Sequence, residues 1–178
     1  YIGDWSSDVC SSDLFLSTVQ VASLKSTQVA GLTTTFVNAL STAQLGGMTT
    51  TQVKALTTTD LNGLAAGAML SFSTVQIASL TTSQIKGLST TNLAAMGTQQ
   101  IGALTTTQIK ALNSTDIAAL NTTQIGTWTS TQFSALTADA IGGLTTSDVA
   151  GMSTTQLTGL TTTQLKGVST TDIGVLNT

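Results

Sequence analysis

The chain has 178 residues, with five lysines, no arginine, eight acidic residues, no histidine and no proline, and its formal net charge is −3. Without histidine it offers neither a Ser–His pair nor an imidazole metal ligand, and five lysines make no basic patch for nucleic acid. No run of about twenty apolar residues is present, so we expect no membrane insertion. We therefore predict that the protein is not an enzyme and has no catalytic residue, no cofactor site and no metal ligand.

The first segment of the chain does not fit the pattern of the rest. It reads Asp4-Trp5-Ser6-Ser7-Asp8-Val9-Cys10-Ser11-Ser12-Asp13-Leu14. This segment resembles the translation of a short-read sequencing adapter, so we predict that residues 1–14 are an artefact without structure. Three of the eight acids and the only cysteine fall in it, which leaves residues 15–178 with five acids and five lysines. We expect the array to be cut at both ends from a longer protein found by environmental sequencing.

Twenty eight-residue repeats, or octads, follow from residue 17 to residue 176. We number the octad so that residues 49–56 are positions one to eight. Positions five and eight are apolar in all twenty octads, and position one is Ser, Thr or Asn in seventeen. Position four is Gln in twelve octads and Asp in four, and position seven is Gly or Ala in fifteen.

This octad encodes a helix start. A Ser or Thr at position one accepts from the backbone N–H three residues on, and a Gln or Asp at position four reaches back to complete a capping box. One continuous helix is excluded, because its apolar stripe would drift by about 80° per octad. We therefore predict an all-α solenoid of short capped helices, one per octad. Positions five and eight point to its axis, small residues at position seven let coils approach, and Thr, Ser, Gln and Lys face water.

A β-solenoid is the alternative fold, since Thr, Val and Ile favour strands. Its difficulty is the spacing of the apolar residues, which alternates between three and five. Both spacings are odd, so paired residues would face opposite sides of a regular strand. Disorder is a weak alternative because the apolar residues are so strictly placed.

A longer period is superimposed on the octad. Residues 17–24 recur almost unchanged at 73–80, an offset of seven octads. The same offset relates several scarce residues: Lys54, Lys110 and Lys166; Asp60, Asp116 and Asp172; Phe72 and Trp128. We therefore divide the array into super-repeats 17–72, 73–128 and a partial 129–178. Either recent duplication copied the DNA, or seven octads make a whole number of superhelical turns. Lys86, which lies four octads after Lys54 and three before Lys110, indicates about three and a half octads per turn.

Few residues are candidates for chemistry. Lys54 and Asp60, with their copies, could form a surface ladder of charges, although solvated side chains that limit stickiness are the simpler interpretation. Asp at position four is expected to act in the capping box rather than as a calcium ligand, since calcium needs a dense cluster of oxygens. Phe72 and Trp128 stand where other octads have Leu or Met, so we expect both in the core.

Two further features are local. Asn113 and Asn121 begin glycosylation sequons, but such matches arise easily in an Asn- and Thr-rich repeat. Octad 65–72 lacks a capping residue at position one. It is a candidate kink or ligand contact, with a tolerated defect as the simpler interpretation.

The octads of residues 15–178 resemble the Ser/Thr-rich, Cys-poor tandem arrays of very large bacterial surface and secreted proteins, such as adhesin stalks. That resemblance implies a non-catalytic spacer or scaffold, extracellular or on a cell surface. A Thr-rich face that binds ice or glycans is the alternative function, which a flat β-solenoid would suit better. Partners are unknown from the sequence; end-to-end self-association is a third hypothesis, because solenoid ends expose apolar surface.

Overall fold

The computed structural model describes residues 16–65 and 67–174, and the predicted artefact at 1–14 lies outside them. The described residues form nineteen short α-helices, one short 3₁₀ helix and no strand. The helices are α1 Thr18–Ser23, α2 Ser26–Ala30, α3 Thr34–Ala39, α4 Thr42–Gly46, α5 Thr50–Ala55, α6 Thr58–Gly63, the 3₁₀ helix Ala68–Ser71, α7 Thr74–Ser79, α8 Thr82–Gly87, α9 Thr90–Ala94, α10 Thr98–Gly102, α11 Thr106–Ile109, α12 Ser114–Ala119, α13 Thr122–Ile125, α14 Ser130–Ser134, α15 Ala138–Ile141, α16 Thr146–Ala150, α17 Thr154–Thr158, α18 Thr162–Leu165 and α19 Thr170–Gly174. One helix per octad confirms the predicted all-α solenoid, and the β-solenoid alternative is not supported.

Each helix begins as the capping box predicts. At the start of α5, the Thr49 hydroxyl accepts from the backbone N–H of Gln52 at 3.3 Å, and Gln52 Oε1 accepts from the Thr49 N–H at 2.7 Å. Thirteen of the nineteen described helices have both halves of the box. Lys25 and Gly97 lack a side-chain acceptor, so only the glutamine half forms there. The caps satisfy backbone donors that such short helices would otherwise leave exposed.

Each octad then breaks at position eight. Leu56, for example, has an extended backbone with φ −64° and ψ 140°, while its side chain is 2% exposed. The break turns the position-eight carbonyl out of the helix and directs the chain into the next cap. The positions that interrupt the helix therefore also build the core.

The octads wind into a superhelix with between three and four octads per turn. Each helix packs on the helix three octads further along, as α2 does on α5 and α11 on α14. Side-chain hydrogen bonds also join residues 28 positions apart, as from Gln84 to the Leu56 carbonyl. A coil of that length agrees with the predicted three and a half octads per turn. The super-repeat boundaries at residues 72 and 128 stay a prediction.

Positions five and eight form one continuous apolar core, as predicted. Within it, most side chains from Val21 to Val149 are less than 9% exposed. Coverage is lost at the last coil, where the position-five residues Leu165 and Ile173 are both 43% exposed. A position-five side chain is therefore buried by the helix three octads ahead of it.

Glycine at position seven lets successive coils approach closely, which confirms that prediction. A Cβ added at Gly159 would lie 2.7 Å from the Ser130 carbonyl oxygen, and one at Gly143 would overlap the Ser114 carbonyl oxygen. Each neighbour is at position two of the octad three places earlier. Among the described helices, none has the length and apolar character that a bilayer crossing requires.

Candidate functional site

The glutamines at position four are the main departure from the sequence prediction. We expected them to face water, but the structure buries them between coils, so that prediction is wrong. Ten of them are between 2% and 9% exposed. We call this set the glutamine ladder: Gln44, Gln52, Gln76, Gln84, Gln100, Gln108, Gln124, Gln132, Gln156 and Gln164.

Each ladder amide performs two functions at once. Its Oε1 atom accepts from the backbone N–H at position one of its own octad, at 2.7–2.9 Å. Its Nε2 atom donates to the position-eight carbonyl 28 residues earlier, at 2.5–2.8 Å. Several also reach the position-five carbonyl 31 residues earlier, as Gln84 does to Val53 at 2.9 Å. One side chain thus caps a helix and joins two coils.

The absence of glutamate was the sequence signal for this second function. Glu and Gln complete a capping box equally well, yet the chain contains no Glu. An ionised carboxylate only accepts hydrogen bonds, so it has no donor for the carbonyls of the preceding coil. The buried site therefore requires an amide.

Where position four is Asp, a hydroxyl takes the place of the carbonyl. Asp60 accepts from the backbone N–H and the hydroxyl of Thr57, at 2.9 and 2.6 Å, and from the Thr34 hydroxyl at 2.7 Å. Thr34 lies at position two, three octads earlier. The pairs Thr122–Asp148 and Thr146–Asp172 repeat this contact at the same distance. The acceptor-only carboxylate is matched by a donor from the preceding coil, and its capping role is confirmed.

Burial acts to raise the pKa of Asp60, but the hydrogen bonds from Thr57 and Thr34 outweigh it and hold the pKa below 3.8. Hydrogen bonds from the hydroxyls of Ser169 and Thr146 likewise lower the pKa of Asp172, against the effect of burial. These bonds stabilise the ionised form, which keeps a negative charge between the coils at neutral pH.

The predicted surface ladder of charges is wrong, and so is the simpler interpretation for the acids. Asp60, Asp116 and Asp172 are 3%, 4% and 8% exposed, so they are neither surface partners nor solvated side chains. Lys54 and its copies are exposed, as that interpretation predicted. The acids were misplaced because the partners of Asp60 and Asp172 are not lysines but threonine hydroxyls of the preceding coil.

Phe72 and Trp128 lie in the core, as predicted, at 3% and 2% exposed. The indole of Trp128 donates to the Ile101 carbonyl at 2.9 Å and meets the Phe133 ring edge to face, with centroids 5.8 Å apart. The wide ring therefore fills the axis while its one polar atom is satisfied.

Octad 65–72 is irregular, and a groove runs beside it. Its 3₁₀ helix leaves Leu70 58% exposed. Two adjoining depressions of about 320 and 430 Å³ share Thr74, Thr98 and Gln99 as lining. The described lining carries no titratable side chain, so this groove offers no acid–base chemistry. The ladder continues across the octad, since Gln100 bonds the Phe72 carbonyl at 2.6 Å, which favours a tolerated defect over a kink.

The two sequon asparagines act as helix caps. The Asn113 side-chain oxygen accepts from the N–H groups of Thr115 and Asp116, and that of Asn121 accepts from Gln124. Capping alone accounts for Asn at position one.

The sequence matches the ALTTAQ repeat family over residues 32–58, 84–114 and 109–146, which together cover half of the chain. The chain belongs to the ALTTAQ repeat family. The name of the repeat corresponds to positions seven, eight and one to four, as in Ala103-Leu104-Thr105-Thr106-Thr107-Gln108. A comparison with curated proteins gives no match.

In this ALTTAQ array, the residues of the repeat's name have separable roles. The final Gln is the ladder residue, the Leu supplies both the core side chain and the accepting carbonyl, and the first Thr is the cap. The name therefore describes one complete joint between coils. Position four breaks the ladder where it is Phe36, Ala68 or Ala140, which have no amide to donate.

Proposed function

We propose that this ALTTAQ array is a non-catalytic spacer, which holds other parts of a bacterial surface or secreted protein apart. The observation that carries the proposal is the glutamine ladder. A spacer must resist bending and collapse, and here each coil is fixed to the preceding one by buried hydrogen bonds as well as by the apolar core. Each such bond contributes about 1 kcal/mol, so the joint is reinforced at every coil.

The repetition of the same joint also makes the array extensible. In a solenoid, each unit contacts only its neighbours, so stability and length grow together as units are added. The donor at position four and the acceptor at position eight occur in every ordinary octad. Additional octads can therefore lengthen the rod without a new kind of contact.

The outer surface supports the same function. The exposed positions carry mainly Ser and Thr hydroxyls, and the exposed lysines are widely spaced. Such a neutral, hydroxyl-rich surface suits a segment whose role is to set a distance. The absence of histidine and glutamate from the sequence leaves the hydroxyls without a general base of those types, which supports a non-catalytic role.

The alternative of an ice- or glycan-binding Thr face was tied to the flat faces of a β-solenoid. No strand is present in residues 16–65 and 67–174, so that alternative is not favoured.

Small-angle X-ray scattering of a shortened array tests the spacer proposal. Deleting residues 65–120 removes seven whole octads and keeps the pairs Thr34–Asp60, Thr122–Asp148 and Thr146–Asp172. We expect the longest dimension to fall by roughly a third while the cross-sectional radius stays unchanged, as for a solenoid.

A matched control deletes residues 69–120, which is not a whole number of octads. The ladder would lose its register at the junction, so we expect a lower unfolding midpoint and a broader scattering profile. An unchanged longest dimension in the whole-octad deletion, or equal behaviour of the two deletions, would contradict a rigid spacer.

A further inference from the structure

The two ends of the described solenoid have complementary faces. At the C-terminal end, the position-five residues of α17, α18 and α19 point away from the preceding coils. Val149 is only 2% exposed because α19 covers it, whereas Leu165 and Ile173 are 43% exposed. This C-terminal face therefore has the apolar surface that, elsewhere in the array, receives the next coil.

The same face presents hydrogen-bond acceptors. Within the array, a position-eight carbonyl receives an amide from 28 residues further along, as the Trp128 carbonyl does from Gln156 at 2.7 Å. For Met152 and Leu160 this spacing reaches past Thr178. Among the described residues, neither carbonyl receives a ladder amide.

The N-terminal face offers the matching donors. Gln20 and Gln28 form the local half of the capping box, with Ser17 and Lys25, just as ladder residues do. Their side chains are nevertheless exposed, in contrast to the inner glutamines. Leu24 and Leu32 beside them are only half-buried. This face thus carries amides and apolar surface in the arrangement with which inner coils meet their predecessors.

We propose that the C-terminal face binds the first coil of a second copy of this chain, head to tail. Helices α1, α2 and α3 of the second copy would then cover Leu157, Leu165 and Ile173. Its Gln20 and Gln28 would donate to the carbonyls of Met152 and Leu160. The contact continues the interface between inner coils, with the same donors, acceptors and apolar positions.

Because the two faces are different, the contact does not close on itself. A heterologous interface of this kind generates open chains of copies rather than a symmetric dimer. The proposal does not depend on the spacer function, since an array can hold domains apart with or without joining its neighbour.

Sedimentation velocity of the full 178-residue chain tests the proposal. We expect the weight-average mass to rise with concentration beyond that of a dimer, up to about 100 µM, the range of modest protein affinities. Leu165→Lys with Ile173→Lys places charges on the exposed face and should abolish this rise. Circular dichroism should be unchanged, because both side chains are already partly in water.

A control variant changes apolar residues that lie away from both ends. Leu70 and Val75 are 58% and 67% exposed in the middle of the array. Leu70→Lys with Val75→Lys should associate as the parent does. A parent that stays monomeric, or association lost in this control but kept in the end variant, would overturn the proposal.

A mixing experiment tests the head-to-tail arrangement itself. Gln20→Glu with Gln28→Glu keeps the capping acceptors but removes the donors of the N-terminal face. Alone, this variant and the Lys variant should each be monomeric. Mixed in equal amounts, they should form a dimer and nothing longer, because each keeps one intact face. Failure to form that dimer, or growth to longer species, would contradict the arrangement.

Discussion

The second octad and the inner octads have nearly the same sequence but different surroundings. Gln28 accepts from the Lys25 N–H at 2.8 Å, and Gln84 accepts from the Thr81 N–H at the same distance. Gln28 is exposed, whereas Gln84 is 4% exposed and donates to two carbonyls of the preceding coil. The comparison separates what an octad does by itself, which is to start a helix, from what it does only against another coil.

The largest difference is expected from a charge at position four. Gln84→Glu keeps the capping acceptor but buries a carboxylate against the Val53 and Leu56 carbonyls. Leaving a buried charge uncompensated costs about 3 kcal/mol or more, so the urea midpoint should fall strongly. Gln28→Glu, in the same octad position but exposed, should change the free energy of unfolding by less than about 0.5 kcal/mol. Similar losses at the two positions would mean that the ladder contributes nothing.

A methyl group at position seven gives the next largest effect. Gly143→Ala would drive a Cβ into the Ser114 carbonyl oxygen, and overpacking of this kind costs about 2 kcal/mol. Gly31→Ala meets only ordinary contacts at 3.6 Å and should gain up to about 1 kcal/mol from helix propensity. Opposite signs in thermal unfolding are the expected result, and two stabilised variants would exclude close packing of the coils.

A hydroxyl contact to a buried carboxylate comes third. Thr34→Val removes the donor to Asp60 Oδ1, and a hydrogen bond to a charged group contributes about 1.5 kcal/mol or more. Thr106 occupies the same position two in an octad whose partner three places on has Gln132. Thr106→Val should therefore be close to neutral in the same denaturant titration. Equal losses would show that position two contributes through packing alone.

The smallest effect is a dependence on acid. The pKa values of Asp60 and Asp172 are lowered in the folded chain, so the unfolded chain binds protons first as the pH falls. Their contribution is fully present above about pH 4, near the unfolded carboxyl pKa, and is lost as the pH falls through the folded values. Urea midpoints from pH 7 to pH 2.5 should decrease below that point. Asp60→Asn should decrease less steeply, and an equal slope would assign the acid sensitivity elsewhere.

The sequence predicts the local half of this structure well. Thr49 and Gln52 encode a helix start within one octad, and the spacing of Val53 and Leu56 encodes the core, so helix positions and burial follow directly. The carbonyl partners of Gln52 lie in the preceding coil, and their separation from it along the chain depends on the size of the coil. No single octad encodes that size, so Gln was assigned to water. The acids failed similarly, because Asp60 was compared with Lys54 rather than with Thr34.

The ladder bonds all point the same way along the polypeptide. Each donor reaches back to a carbonyl of the preceding coil, which was synthesised before it, so a growing chain always presents the acceptor first. Every new coil therefore emerges onto a finished template and needs nothing from residues not yet made. Arrays of any length can then fold from the N-terminal side as they leave a ribosome or a secretion channel, and the rate of folding per coil is independent of total length.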